Sequence, residues 1–361
     1  MARSAWTRRR ITGALGTGAA AAALGIPPRP ARAADAKTIT VLNWQGYGTD
    51  QAFGIKAFAA ATGLGVKHDY FKSEPEMLTK LRTNPGAYDV VLVNSARDAQ
   101  AQADDLIDPI DLSKLPNAVG LADAFRMNRN ILIDGKTYGV PWVWGMNALA
   151  ARKGKTGVDS YAVFADPAYA GRGALFDDAV TAIAIGALLT RQDINNPADL
   201  RKVGATLKSF KNDVKLTWSS EDEWNRAFAG GAFDVSVFWS GAVTRAVNLH
   251  RQPVEFVIPK EGAIGWLDTL CIPASSTRKD AGLAFINTMI GPDFYAEWAK
   301  AGAPASASTA AMDKLPADDL TRRIHRPELL NTLQFMGALP EERRQAFSDV
   351  WEEVKAYYAA S

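Results

Sequence analysis

Between residues 38 and 95 the chain changes character four times, and that alternation restricts the fold more than any other feature. "TITVLNW" reads as a strand and is followed by a helical pattern over residues 50–62, closed by Gly63. "GVKHDYF" reads as a second strand. Ser73 and Glu76 then stand at capping-box spacing around Pro75, opening a helix that runs through Leu81. "YDVVLVNS" is apolar throughout its strand, as expected where both faces of a parallel strand are covered. A strand–helix–strand–helix–strand order implies an open α/β sheet, in which ligands sit beyond the carboxyl ends of the strands. Trp44 and Tyr47 lie just past one such end, and Asn94-Ser95 past another. A plain turn has no use for two large aromatics, so the pair reads as facing a ligand.

The later chain repeats the theme. "ILIDGKTYGVPW" reads as a hairpin turning at Asp134-Gly135. "GALFDDAVTAIAIGALL" reads as a strand ending at Asp177-Asp178 and an apolar helix, and "EDEWNRAFAGGAFDVSVFWSG" as a helix, a Gly-Gly stop and a strand ending at Trp239. In "AIGWLDTLCIP" the two-residue spacing puts Trp266 and Asp268 on one face of a strand. Helical patterns cover residues 279–290, 292–301 and 340–358, the last with Phe347, Val350, Trp351, Val354 and Tyr358 along one stripe.

Residues 1–33 carry a basic start with Arg8-Arg9-Arg10, a short apolar stretch over 11–26 and small residues around Ala31 and Ala33. That is the pattern of an export signal cleaved after about Ala33, and Thr7 to Ile11 fits the twin-arginine type. With no cysteine at the cleavage point, a soluble protein held in a periplasm is expected. The chain has 41 Lys+Arg and 39 Asp+Glu, but six arginines leave with the signal, so the remainder is acidic by about four charges. A nucleic-acid partner normally asks for a basic domain, and none is expected here. Some 328 of the 361 residues remain, more than one core usually supports, so two domains are expected. One cysteine, Cys271, and three scattered histidines exclude a structural zinc site, and no cofactor is expected.

Trp44, Tyr47, Trp239 and Trp266 all lie at or near strand ends, and so do Asp178 and Asp268. Aromatic faces attract cations, by roughly 0.5–2 kcal/mol each. A desolvated ammonium also requires a carboxylate, because either charge buried alone costs several kcal/mol. Taken singly, each residue has a plain structural use: a strand-end Trp packs a core, and Asp178 caps a helix. Their convergence from separate strand ends is what suggests a box for an alkyl amine.

On these motifs the chain resembles the periplasmic substrate-binding proteins of ABC importers, specifically the spermidine/putrescine group. The likeness runs through "NW..Y", "YDVV", "GVPWVWG", "FDDA", "FWSG" and the block "PKEGAIGWLDTLCIP" over 259–273, in the family's order. It implies a two-lobed α/β periplasmic-binding-protein fold of type II with a hinge and a ligand cleft. The lobes are expected at 34–142 with 267–312, and at 143–266 with 313–361. The resemblance also implies ligand contacts at Trp44, Tyr47, Asp178, Ser220, Trp239, Trp266, Asp268 and Gln334. It implies a monomer that delivers its ligand to a membrane permease. The chain departs from the polyamine pattern at Gly46, Ala96 or Arg97, Thr181 and Ala303. Thr181 and Gly46 stand where acids are usual, which disfavours a long polyamine. A monoamine, a short diamine or an ω-amino acid fits better, the last with Arg97, Arg172 or Arg245 meeting its carboxylate.

Two other readings compete. The same fold binding thiamine or another aromatic cation would also use tryptophan walls. An exported, cofactor-bearing enzyme would need a motif that is missing: beyond the signal there is no G-x-G-x-x-G after a strand, no P-loop and no H-E-x-x-H. The histidines show no Ser or Cys pairing that sequence can support, so no catalytic residue is expected. The adjacent Tyr357 and Tyr358 lie on the terminal amphipathic helix and read as packing, not as iron ligands.

Overall fold

The computed structural model describes residues 37–360, and the export-signal reading falls outside the described residues. The expected opening is present as β1 (Thr38–Asn43), α1 (Ala52–Thr62), β2 (Gly65–Tyr70), α2 (Glu74–Thr83), β3 (Val90–Asn94) and α3 (Ser95–Ala103). β1 pairs in parallel with both β2 and β3. Ser73 caps α2 by accepting the Glu76 amide, and α1 stops at Gly63, whose φ of 73° is the left-handed conformation that favours glycine.

The hairpin is shorter than its sequence suggests. Leu132–Ile133 and Lys136–Thr137 pair across Asp134 and Gly135, both at positive φ as a type I′ turn requires. The "VPW" that follows does not belong to it but begins β4 (Val140–Arg152), a single 13-residue strand. Pro141 and Gly145 look like interruptions in sequence. In the structure the pairing register shifts where Thr269 meets Pro141, which has no N–H to give a ladder. Gly145 lies under an indole ring: a Cβ there would come within 2.4 Å of the Trp266 ring.

Six more strands and seven helices complete the longer elements. They are β5 (Gly173–Phe176), α4 (Ala179–Leu189), α5 (Leu200–Lys208), β6 (Val214–Trp218), α6 (Glu221–Ala229), β7 (Val235–Trp239), α7 (Ser240–Asn248), β8 (Val254–Val257), β9 (Ala263–Pro273), α8 (Lys279–Met289), α9 (Pro292–Ala299), β10 (Leu333–Phe335) and α10 (Glu341–Ala359). The main sheet runs β2-β1-β3-β9-β4-β7-β5-β6, with β8 beside β4 and β10 beside β9. β4 and β9 are the long antiparallel members that join its two halves. β4 pairs with β9 over 140–147 and with β7 over 147–151, so Asn147 stands at the changeover, opposite Ile264 on one side and Trp239 on the other.

The apolar residues divide accordingly. One cluster joins β1, β3, β4 and β9 to α1, α2, α8 and α9, and extends to Trp218, Trp224 and Phe238. A second lies under α4, α5 and α10 and includes Leu149, Val237, Ile264, Phe347 and Trp351. Cys271 is buried, as its apolar setting suggests. Of the α10 stripe, Phe347, Trp351 and Val354 are buried, and Trp351 also donates its Nε1–H to Asp177 Oδ1 at 2.7 Å. Trp351→Ala should cost about 3–5 kcal/mol of stability. Urea unfolding followed by circular dichroism measures it, and a loss below about 1 kcal/mol would show that α10 does not hold this core.

Candidate functional site

The loop after β1 is built from one buried side chain. Asn43 donates Nδ2–H to the Tyr47 carbonyl and to Thr49 Oγ1, both at 2.8 Å, and its Oδ1 accepts the Trp44 amide at 2.7 Å. The loop turns at Gly46 (φ 74°) and Gly48 (φ 79°). Gly48 lies so close to Trp298 and Trp142 that a Cβ would meet both rings below 3 Å. That pair stacks at 4.9 Å and presents its edges to the Tyr47 ring at 5.9 and 5.8 Å. The Tyr47 hydroxyl is thereby aimed, and it donates to Asp268 Oδ2 at 2.8 Å. Asn94, the last residue of β3 and the cross-strand partner of Asp268, donates Nδ2–H to Oδ1 at 2.8 Å.

Asp268 is thus a buried carboxylate held by two neutral donors, and among the described residues it has no ion pair. Burial pushes its carboxyl up to about 7; the Tyr47 and Asn94 hydrogen bonds oppose the rise and the charge of Glu74 adds to it. Burial and the same carboxylate raise Tyr47 well above its ordinary value. Ser95, one position after Asn94, is fully buried and its Oγ is without a partner. Behind it lies a second fully buried carboxyl, Asp98, contacted by Thr269 Oγ1 at 3.2 Å and Cys271 Sγ at 3.4 Å and pushed well up by burial.

The opposite wall comes from the other half of the sheet. Trp239 ends β7 with its ring edge-on to Phe176 (5.2 Å) and Trp218 (5.3 Å), which close β5 and β6. Trp266 lies over Gly145. Regular pairing from Ile264 to Asp268 puts Trp266 and Asp268 on one face, together with Asn147 and Trp239. Asp178 caps α4, its Oδ2 accepting the Thr181 amide at 2.8 Å, and is half-buried. Thr181 is buried and its Oγ1 accepts from Asn147 Nδ2 at 3.3 Å.

Tyr47 and Asp268 are therefore joined directly, Trp266 and Trp239 share their face of the sheet, and Asp178 stands at the helix start beside it. Trp44 packs edge-on against Phe71 at 4.5 Å. Ser220 is exposed and caps α6 through the Glu223 amide. Gln334 accepts the Ile194 amide at 3.2 Å and lines a separate cavity of about 700 Å³ with Leu188, Arg191 and Lys260. The three arginines considered for a carboxylate are already paired: Arg97 with Glu74 at 2.9 Å, Arg172 with Asp234 at 2.9 and 3.0 Å, and Arg245 with Glu221 at 2.6 and 2.8 Å.

One Ser–His contact escaped the sequence. His325 Nε2 lies 2.7 Å from Ser240 Oγ, but both are buried, Nδ1 faces the Thr321 carbonyl, and Ser240 Oγ also accepts the Met146 amide. Burial takes the imidazole down to about 4, so it is neutral at pH 7. Asn147 was equally unmarked, although a lone polar residue in the run "VPWVWGMNALAA" is a signal of its own. Among the described residues no group of three or more His, Cys, Asp or Glu is placed to hold a metal, and no helix is long and apolar enough to cross a membrane.

The sequence profile of a family described as bacterial extracellular solute-binding proteins matches residues 55–322. The chain is 29% identical over 280 residues to the spermidine/putrescine-binding periplasmic protein of Escherichia coli K12, covering 76% of this chain and 78% of that one. It is 24% identical over 350 residues to the putrescine-binding periplasmic protein SpuD of Pseudomonas aeruginosa, covering 90% and 94%. The substrate-binding protein PotD of a Streptococcus pneumoniae spermidine/putrescine ABC transporter has a similar fold, with a TM-score of 0.80 at 20% identity over 89% of this chain and 99% of that one. A structure described as a GABA receptor matches with a TM-score of 0.66 at 19% identity, over 90% and 98%.

The raised Asp268 carboxyl fixes a sign. A folded-state value near 7 against about 4 in the unfolded chain means that the native state holds the proton longer, so stability falls as pH rises between those values. Unfolding of ligand-free protein at pH 5 and pH 8 should show a loss on the order of a few kcal/mol, removed in Asp268→Asn. The same loss in the variant would assign it to other groups.

Proposed function

The chain belongs to the family of bacterial extracellular solute-binding proteins, and from that premise we propose that it captures a small amine between two lobes and delivers it to an ABC permease. Asp268 carries this reading. A buried carboxylate with two neutral donors, on the same strand face as Trp266, is an unfinished ion pair, and an alkylammonium completes it with charge, hydrogen bonds and methylene packing. The periplasmic names of the relatives support the compartment and their ligands support the amine class. Trp44, Tyr47, Asp178, Trp239, Trp266 and Asp268 are the proposed contacts. Ser220 and Gln334 are proposed with them, although each has a structural bond of its own and Gln334 also lines the separate cavity.

The proposed lobes are 34–142 with 267–312, and 143–266 with 313–361. β4 and β9 cross between them, which is supported by the change of pairing partner at Asn147. Closure then follows from linkage: a ligand drives it only by binding the closed form better. An amine touching Asp268 from one lobe and Trp239 from the other supplies that difference. The chain acts by capture and hand-over and catalyses nothing. Thiamine or another aromatic cation is the second reading, favoured by the indole surfaces alone.

Thermal unfolding of the mature protein with diamines, ω-amino acids, choline-like cations and thiamine tests the proposal. Ligand at about a hundred times its dissociation constant adds roughly 2.7 kcal/mol and raises the midpoint by several degrees. A shift with amines, lost in Asp268→Asn, is the expected result. A shift with thiamine alone, retained in that variant, would contradict it.

A further inference from the structure

We propose that Asn147 is a specificity-determining ligand contact, its Oδ1 accepting an N–H from the far end of the amine whose first ammonium meets Asp268. The inference rests on the amine reading of that site and goes further, because it says which end-group the second half of the cleft accepts.

Three observations carry it. Asn147 is only 3% exposed, yet its Oδ1 has no hydrogen-bond partner, although its Nδ2 reaches Thr181 Oγ1. A buried polar atom without a partner costs free energy that a structural residue has no reason to carry. Turning the amide over would not relieve it: two N–H donors would then stand open in place of one oxygen. Second, Asn147 faces the candidate site. It stands opposite both Trp239 and Ile264, and Trp266 and Asp268 follow at two-residue steps on the Ile264 side of the sheet. Four residues of strand separate the Asp268 position from the Asn147 position, about 13 Å along the backbone before the side chains reach inward. Third, Asp178 adds an acceptor at this end, and none of the three arginines considered for a carboxylate is left unpaired to meet an anion. Asp178 gives one carboxylate oxygen to the Thr181 amide and keeps the other, while Arg97, Arg172 and Arg245 are each engaged by an acid.

An acceptor-rich far end selects a ligand with a donor there. A short α,ω-diamine satisfies both ends. A monoamine of the same length leaves Oδ1 open, and an ω-amino acid brings a carboxylate against oxygens. The expected order of affinity is 1,4-diaminobutane, then n-butylamine, then γ-aminobutyrate.

Calorimetric titration of the mature protein with these three amines at pH 8 is the test, repeated on Asn147→Leu and Asp268→Asn. Leucine keeps the branched shape of asparagine with more volume and removes the open oxygen, so ligand-free Asn147→Leu should fold and melt close to the wild-type temperature. Its affinity for 1,4-diaminobutane should fall tenfold or more, bringing the diamine-to-monoamine ratio toward one. Asp268→Asn should lose all three amines. A lower melting temperature for ligand-free Asn147→Leu with the diamine preference intact would make Asn147 structural and overturn the assignment. Tightest binding of γ-aminobutyrate would overturn it while leaving amine capture standing. Binding of none of the three to wild-type protein would remove this inference and the amine reading together.

Discussion

Everything in the candidate site depends on the Asp268 carboxylate being buried without a cation of its own. Tyr47 and Asn94 hold it from two sides at 2.8 Å, and both are neutral. Its ionised form is therefore under-compensated, which is why its carboxyl rises to about 7 where an exposed one stays near 4. Much of the surrounding architecture serves this one arrangement. Asn43 shapes the loop that carries Tyr47, Trp142 and Trp298 fix the Tyr47 ring, and the β3–β9 ladder fixes Asp268 against Asn94.

The aromatic wall is less adaptable than a row of tryptophans suggests. Trp266 rests on Gly145, where any Cβ would collide with the ring, and Gly48 meets two indoles in the same way. Glycines at these points let rings approach backbone closely, so the walls are fixed by the chain beneath them. The junction at Asn147 is where the β9-paired and β7-paired parts of β4 meet, and it is also where a polar group is left open. In the proposed two-lobe reading, a contact placed there would couple ligand to lobe geometry, which is what linkage between binding and closure requires.

Much of this could be read from the residues. The strand–helix alternation gave the parallel core, and the Trp-x-Asp spacing in "GWLDT" placed Trp266 and Asp268 on one face because strand periodicity is two. The helix starts at Ser73 and Asp178 were visible from capping chemistry. Other parts needed the third dimension. β4 was hidden because Pro141 and Gly145 act as punctuation in sequence, whereas here one sits at a register shift and the other under an indole. The pairing of Arg97, Arg172 and Arg245 with Glu74, Asp234 and Glu221 crosses helices and strands at separations that no local pattern encodes. The Asn94–Asp268 bond spans 174 positions and follows only from the sheet order.

The most direct test of the central claim is the pH dependence of amine affinity. If a buried carboxylate near 7 must be ionised to receive an ammonium, ligand-free protein below pH 7 has to give up a proton on binding. Affinity for 1,4-diaminobutane should then weaken as pH falls below about 7, approaching tenfold per unit, so that binding at pH 5 is about 100-fold weaker than at pH 8. Calorimetry across that range should also register release of close to one proton at the acid end. An affinity constant from pH 5 to pH 8, with no proton released, would mean that Asp268 is not the group that meets the amine.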